Sequence, residues 1–63
     1  MLERYEVTVK LTGGSVHNFN NADGTECSIG NIIKFNLKAH NYENALKTAK
    51  RILNFCHVKY ELV

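Results

Sequence analysis

The sequence predicts a small α+β fold in which one helix covers one face of a mainly antiparallel sheet of three strands, or of four. Three segments alternate apolar and polar residues with the period of two that a half-buried strand requires. A fourth segment repeats apolar residues at the helical spacings of three and four. The chain has 63 residues, so we expect residues 1–63 to form one domain with one core, in the order ββαβ.

The first strand is predicted at residues 3–11, where charged and polar residues separate apolar ones. Its apolar positions are Tyr5, Val7, Val9 and Leu11. The paired glycines Gly13 and Gly14 follow, and paired glycines readily supply the positive φ angles of a tight turn. We therefore expect the chain to leave the sheet at this point.

Residues 12–30 are open to two interpretations. They could contain a short strand near residues 15–20, which would make the sheet four-stranded, or they could form one long recognition loop. Asp23-Gly24 is a turn signal, and polar, Asn-rich loops often carry binding residues. The candidate partner-binding residues of this loop are His17, Asn18, Phe19 and Asn20. Phe19 is either an exposed anchor for a partner or a lid over the end of the core.

Alternation resumes at residues 31–39, the second predicted strand, and a helix follows at residues 41–54. Asn41 occupies the position of a helix N-cap. The apolar stripe of the helix consists of Tyr42, Ala45, Leu46, Ala49, Ile52 and Leu53. Asn54 is predicted to end the helix in a left-handed conformation, with Phe55 folding back onto the last turn.

The third strand is predicted at residues 56–62, with Cys56, Val58, Tyr60 and Leu62 on one face. Short connections around the helix make the second and third strands parallel. The first strand then fits between them, antiparallel to both. In topology this arrangement resembles half of a ferredoxin-like fold, with no motif of that family behind the likeness.

The sheet face opposite the helix is predicted to be uncovered and basic. It carries five cationic and two acidic side chains, so five minus two leaves +3, against +2 for the whole chain. The candidate partner-binding residues of this face are Arg4, Lys10, Lys34, Asn36, Lys38, His57 and Lys59. Such a face either keeps the sheet in solution or meets a phosphate backbone or an acidic protein surface.

No pattern for catalysis, metals or cofactors is present, and we expect none of the three. The Cys and His residues do not have metal-ligand spacings, and the neighbours Cys56 and His57 should point to opposite faces of a strand. A nucleophilic pair of Cys27 and His17 would need a third group to orient the base. Both cysteines are expected to be reduced thiols, with Cys56 a small core residue.

The start of the chain lacks the apolar stretch of an export signal, and no apolar run is long enough to cross a membrane. We therefore expect a cytoplasmic protein with no membrane partner. Asn occurs eight times and Pro and Trp are absent. This composition fits AT-rich genomes, including those of many phages.

These observations favour a non-enzymatic protein that binds a larger protein or complex. We expect an inhibitor or modulator of host machinery, of the anti-defence type that phages and mobile elements encode. One alternative is a nucleic-acid-binding module that uses Lys10, Lys34, Lys38 and Lys59. Another is a small accessory subunit of an enzyme. Self-association as a homodimer would add burial to a thin core.

Overall fold

The computed structural model describes all 63 residues of the chain. The elements are β1 (Glu3–Gly14), a short 3₁₀-helix (Val16–Asn18), β2 (Ile32–Ala39), α1 (Tyr42–Phe55) and β3 (Val58–Leu62). The predicted α+β class is confirmed, because one helix packs on one three-stranded antiparallel sheet. The four-stranded alternative does not form.

The sheet has the order β2-β1-β3, so β1 is the central strand. It is antiparallel to both neighbours, which confirms the predicted arrangement. Val7 lies opposite Phe35 on one side, and Leu11 lies opposite Tyr60 on the other. Directly opposed residues point to the same face of a sheet, and this register therefore collects the apolar positions of all three strands on one face.

The core lies between that face and α1. Val7, Val9 and Leu11 of the central strand are fully buried. The helix contributes three buried residues, Ala45, Ala49 and Leu53. Two of these are alanines, whose small side chains let the helix backbone approach the sheet closely.

Two predicted core residues lie at the margin instead. Tyr42, in the first turn of α1, is 50% exposed, although its ring packs edge-on against Tyr5 with the centroids 6.2 Å apart. Leu62 is also 50% exposed. It lies at the end of the edge strand β3, opposite Val9, where no further strand covers its outer flank.

The N-terminus of α1 is capped as its sequence indicates, because the Asn41 side chain accepts a hydrogen bond from the Asn44 backbone N–H at 2.8 Å. The C-terminus differs from the prediction. The helix continues through Asn54 to Phe55, and the left-handed residue is His57, with φ 58°. The phenyl ring of Phe55 does not fold back, and this residue is 83% exposed.

The predicted turn at Gly13-Gly14 is wrong, since β1 runs on through both glycines. A bulge after Leu11 shifts the register by one residue, so Gly13 lies opposite Lys59 and Gly14 opposite Val58. Gly14, the last residue of the strand, has φ 76°, a conformation that glycine adopts without steric cost. The two glycines therefore lie within and at the end of β1 and do not make a hairpin turn.

The segment between β1 and β2 is folded against the core. The proposed strand near residues 15–20 is absent, and Val16–Asn18 forms the 3₁₀-helix in its place. A single bridge joins Asn20 to Glu26. Val16 and Cys27 are buried members of the core cluster. The segment therefore closes one part of the core and still leaves its polar turns exposed.

Candidate functional site

The open face is the sheet face that α1 does not cover. The register places alternate residues of the three strands on it. Its charged members are Arg4, Glu6, Lys10, Lys34, Lys38, Lys59 and Glu61, and all seven are exposed. Six of the seven sequence-predicted residues of this face therefore share one surface, including Asn36 opposite Glu6.

The exception is His57. The sequence predicts His57 within the third strand, but β3 begins at Val58, and His57 lies in the turn after α1. Its positive φ lets its backbone carbonyl accept a hydrogen bond from Ser15 N–H at 3.0 Å. Cys56 is also outside the strand and is the C-cap of the helix. The predicted start at residue 56 fails because the chain needs both residues to turn.

The two carboxylates of the open face lie beside lysines. Glu6 Oε1 is 3.8 Å from Lys34 Nζ, and Glu61 is the register partner of Lys10. The side chains of the Lys34–Glu6 pair are 61% and 53% exposed, so solvent screens their attraction and its contribution to stability is small.

Arg4 and Lys38 form a register pair in which two like charges lie directly opposite each other. Such cross-strand pairs destabilise a sheet. Neither residue forms an ion pair within 4.0 Å. This end of the open face is therefore the place where an added carboxylate would relieve the most repulsion.

The outer edge of β2 carries unpaired backbone groups. Leu11 bonds to the β2 side through Asn31 and Gly30, at 2.8 Å and 2.7 Å, and Thr8 accepts a bond from the β3 side, from Val63 at 3.2 Å. Because backbone direction alternates along a strand, the odd-numbered residues of β2 bond inward to β1. The residues whose N–H and C=O groups point outward are Ile32, Lys34, Asn36 and Lys38.

A shallow groove of about 380 Å³ lies at the start of β2. Its walls are residues 20–22 of the β1–β2 segment and residues 32–34 of the strand. Ile32 and Lys34 point to the open face, and Ile33 points to the helix-covered face. A groove that contacts all three therefore lies along the outer edge of the strand.

The four sequence-predicted loop residues do not form one cluster. Asn18 donates a hydrogen bond to the Cys56 carbonyl at 3.0 Å and so ties the loop to the end of α1. Phe19 packs against the core, edge-on to Phe35 with the ring centroids 6.1 Å apart. Its contacts are those of a lid over the core. His17 is exposed, and only Asn20 lines the groove.

Sequence reasoning missed Asn21, which organises the polar turn beside the groove. Its amide donates to Thr25 Oγ1 at 3.1 Å and lies 3.5 Å from Asn31 Oδ1. Asn31 Oδ1 in turn accepts from Ser28 N–H at 2.7 Å. The Asn-rich composition was the available signal, but composition does not reveal which amides meet.

Two side chains away from the open face have shifted pKa values. Desolvation by packed neighbours raises the pKa of the Tyr5 phenol, and the Glu3 carboxylate, which accepts a hydrogen bond from it at 3.3 Å, raises it further. The pKa of Asp23 is lowered, because the Thr25 hydroxyl and backbone N–H both donate to its carboxylate, at 2.7 Å and 3.0 Å. Both interactions are local and involve no residue of the open face.

No three or more His, Cys, Asp and Glu side chains are grouped closely enough to hold a metal ion. Cys27 is buried, and its thiol lies 3.5 Å from Asn21 Oδ1. Cys56 is half-buried against the core. The one α-helix, α1, is too short and too polar to cross a membrane.

No known protein family matches this chain, and neither a curated protein nor a solved structure matches it.

Proposed function

We propose that this chain binds a larger protein through its open face and that the surface it recognises is acidic. The observation that carries the proposal is the uncompensated Arg4–Lys38 pair on a face with five cations and two carboxylates. Like charges that lie directly opposite each other destabilise a sheet. Cations needed only for solubility could be spaced apart on the sheet. A partner carboxylate placed between Arg4 and Lys38 would attract both side chains and offset their mutual repulsion.

The narrower role within this proposal is inhibition or modulation of a host complex, of the phage or mobile-element type. The small size and the Asn-rich composition support it. The open face would act by occupying a surface that the complex needs for its own partners. Such an inhibitor changes the activity of its target only in the bound state.

The test compares two charge reversals of equal size. Lys34→Glu with Lys38→Glu alters the open face, and Lys47→Glu with Arg51→Glu alters exposed positions of α1. Each doubly substituted chain is used to capture partners from cells of its source. The proposal predicts that a partner held by the unaltered chain is lost with the first pair and kept with the second. Equal capture by both variants would overturn it.

Nucleic acid is the second candidate, because five cations on one contiguous face can also follow a phosphate backbone. The open face carries no aromatic side chain on which a base could stack. This candidate predicts affinity for duplex or single-stranded oligonucleotides that falls steeply with added salt. An absence of binding at about 50 mM salt would remove it.

A further inference from the structure

We propose that the outer edge of β2 accepts an extended acidic segment of a partner protein, which adds to the sheet as a fourth strand. The inference rests on the proposed function and names the chemistry of the partner. It assigns the recognition to backbone groups as well as to charge.

The backbone of β2 is suited to strand addition. The strand has eight residues and contains no proline, glycine or bulge. No backbone or side-chain hydrogen bond outside the sheet ladder reaches its outward-pointing residues. Proteins commonly protect such edges with bulges, prolines or lysines. Of these, β2 has only the lysines Lys34 and Lys38, which repel a basic strand and leave the edge open to pairing with an acidic peptide.

Charge selects an acidic occupant. Lys34 and Lys38 are four residues apart on the same edge, and β2 contains no acidic residue. A second copy of β2 would bring four lysines along one seam, so self-pairing is disfavoured. An incoming strand with two carboxylates four residues apart would place one opposite each lysine.

The other positions of the incoming strand are also defined. Phe35 and Leu37 are half-buried on the helix-covered side of the edge. Apolar side chains between the carboxylates would cover them, because alternate residues of a strand point to opposite faces. At the Ile32 end, the incoming strand would enter the groove, where the exposed Asn20 offers an amide group.

The probe is the nine-residue peptide Thr-Val-Glu-Val-Thr-Val-Glu-Val-Thr, with blocked ends, added to the full chain. Binding is followed by NMR chemical shifts and calorimetry. A second peptide has lysine in place of both glutamates. A third keeps the glutamates but is N-methylated at two alternate residues on its pairing edge. Strand addition predicts that the first peptide binds at least about tenfold more tightly than the N-methylated one, which loses two hydrogen bonds of about 1 kcal/mol each. It should also bind more tightly than the lysine peptide, whose charges would lie opposite Lys34 and Lys38 and repel them.

The protein-side variant is Asn36→Pro. The Asn36 N–H points outward, so proline there removes an edge donor and no bond to β1. Asn36→Thr is the control that keeps the donor. Strand addition predicts that the first substitution lowers affinity about fivefold, the equivalent of one hydrogen bond of about 1 kcal/mol, and the second less than about twofold. If Asn36→Pro perturbs the fold, the N-methylated peptide decides the question without altering the protein.

Each remaining outcome is decisive. If the N-methylated peptide binds as well as the first, strand addition is overturned, and if the lysine peptide does, the acidic character of the occupant is overturned. A homodimer that Asn36→Pro dissociates would also overturn it, because a second copy would then occupy the edge. None of these results alters the charge-reversal test of the open face, so the proposed function stands or falls separately.

Discussion

Gly14 and His57 lie in contact where β1 meets the turn into β3, and both have positive φ angles. A Cβ atom built on Gly14 would collide with the His57 carbonyl oxygen and would crowd the Val58 backbone. The same carbonyl accepts the Ser15 N–H at 3.0 Å. This contact joins the end of β1 to the turn before β3, more than forty residues later in the chain, and it depends on the absence of a side chain at residue 14.

The first prediction concerns that contact. Gly14→Ala should destabilise the fold by about 3 kcal/mol, because positive φ alone costs an L-residue about 1–2 kcal/mol and the Cβ also meets backbone atoms. Gly24→Ala is the matched control, since Gly24 has φ 89° but open space around its Cα. It should cost only about 1 kcal/mol. Urea denaturation measures the loss of unfolding free energy in both variants. Equal losses would contradict the predicted clash between a Cβ at residue 14 and the His57 carbonyl oxygen.

The strands and the two faces of the sheet could be predicted because alternation is a local signal. Val7 and Val9 had to share a side, and a lone helix could cover only that side. The sheet order followed from the same constraint, because β1 is the only strand without a short connection to the helix. The residues of the open face could therefore be predicted from alternation alone, without any knowledge of contacts.

The turns could not be read in the same way. The Gly13-Gly14 pair is compatible with a hairpin or a bulge, and the choice depends on β3, which lies far along the chain. The left-handed position falls at His57 although Asn54 has the higher intrinsic preference, and there the His57 carbonyl accepts a hydrogen bond from Ser15 N–H, in a segment far away in the chain. Likewise, the path of the loop depends on the Asn18–Cys56 hydrogen bond, between residues 38 positions apart.

The second prediction contrasts two apolar residues of α1. Leu53 is fully buried, whereas Phe55 is 83% exposed. Leu53→Ala should cost about 2–5 kcal/mol, the usual range for a buried leucine, and should leave a domain of this size largely unfolded. Phe55→Ala should change stability by less than about 0.5 kcal/mol. Thermal unfolding followed by circular dichroism measures both values, and a large loss from Phe55→Ala would place its ring in the core.

The third prediction concerns the start of α1. Asn41→Ala should destabilise the fold by about 1 kcal/mol, because it removes the side-chain acceptor of the Asn44 N–H. Asn41→Asp should keep the cap and retain stability, since aspartate is an equally good N-cap and suits the helix dipole. Denaturant midpoints report both changes. A loss as large for aspartate as for alanine would contradict the capping role.

The fourth prediction concerns pH. The Asp23 carboxyl should titrate below its ordinary pKa of 3.8, because Thr25 donates two hydrogen bonds to the charged form. A lowered pKa in the folded state means that the interaction stabilises the fold above the unfolded pKa and is lost as pH falls through the folded pKa. Thr25→Val removes the hydroxyl donor and should move the pKa upward. Thr12→Val, at an exposed position of β1, is the control that should leave it unchanged. Carboxyl ¹³C shifts followed by NMR give the pKa in each chain, and an Asp23 pKa that does not respond to Thr25→Val would exclude the hydroxyl as its main cause.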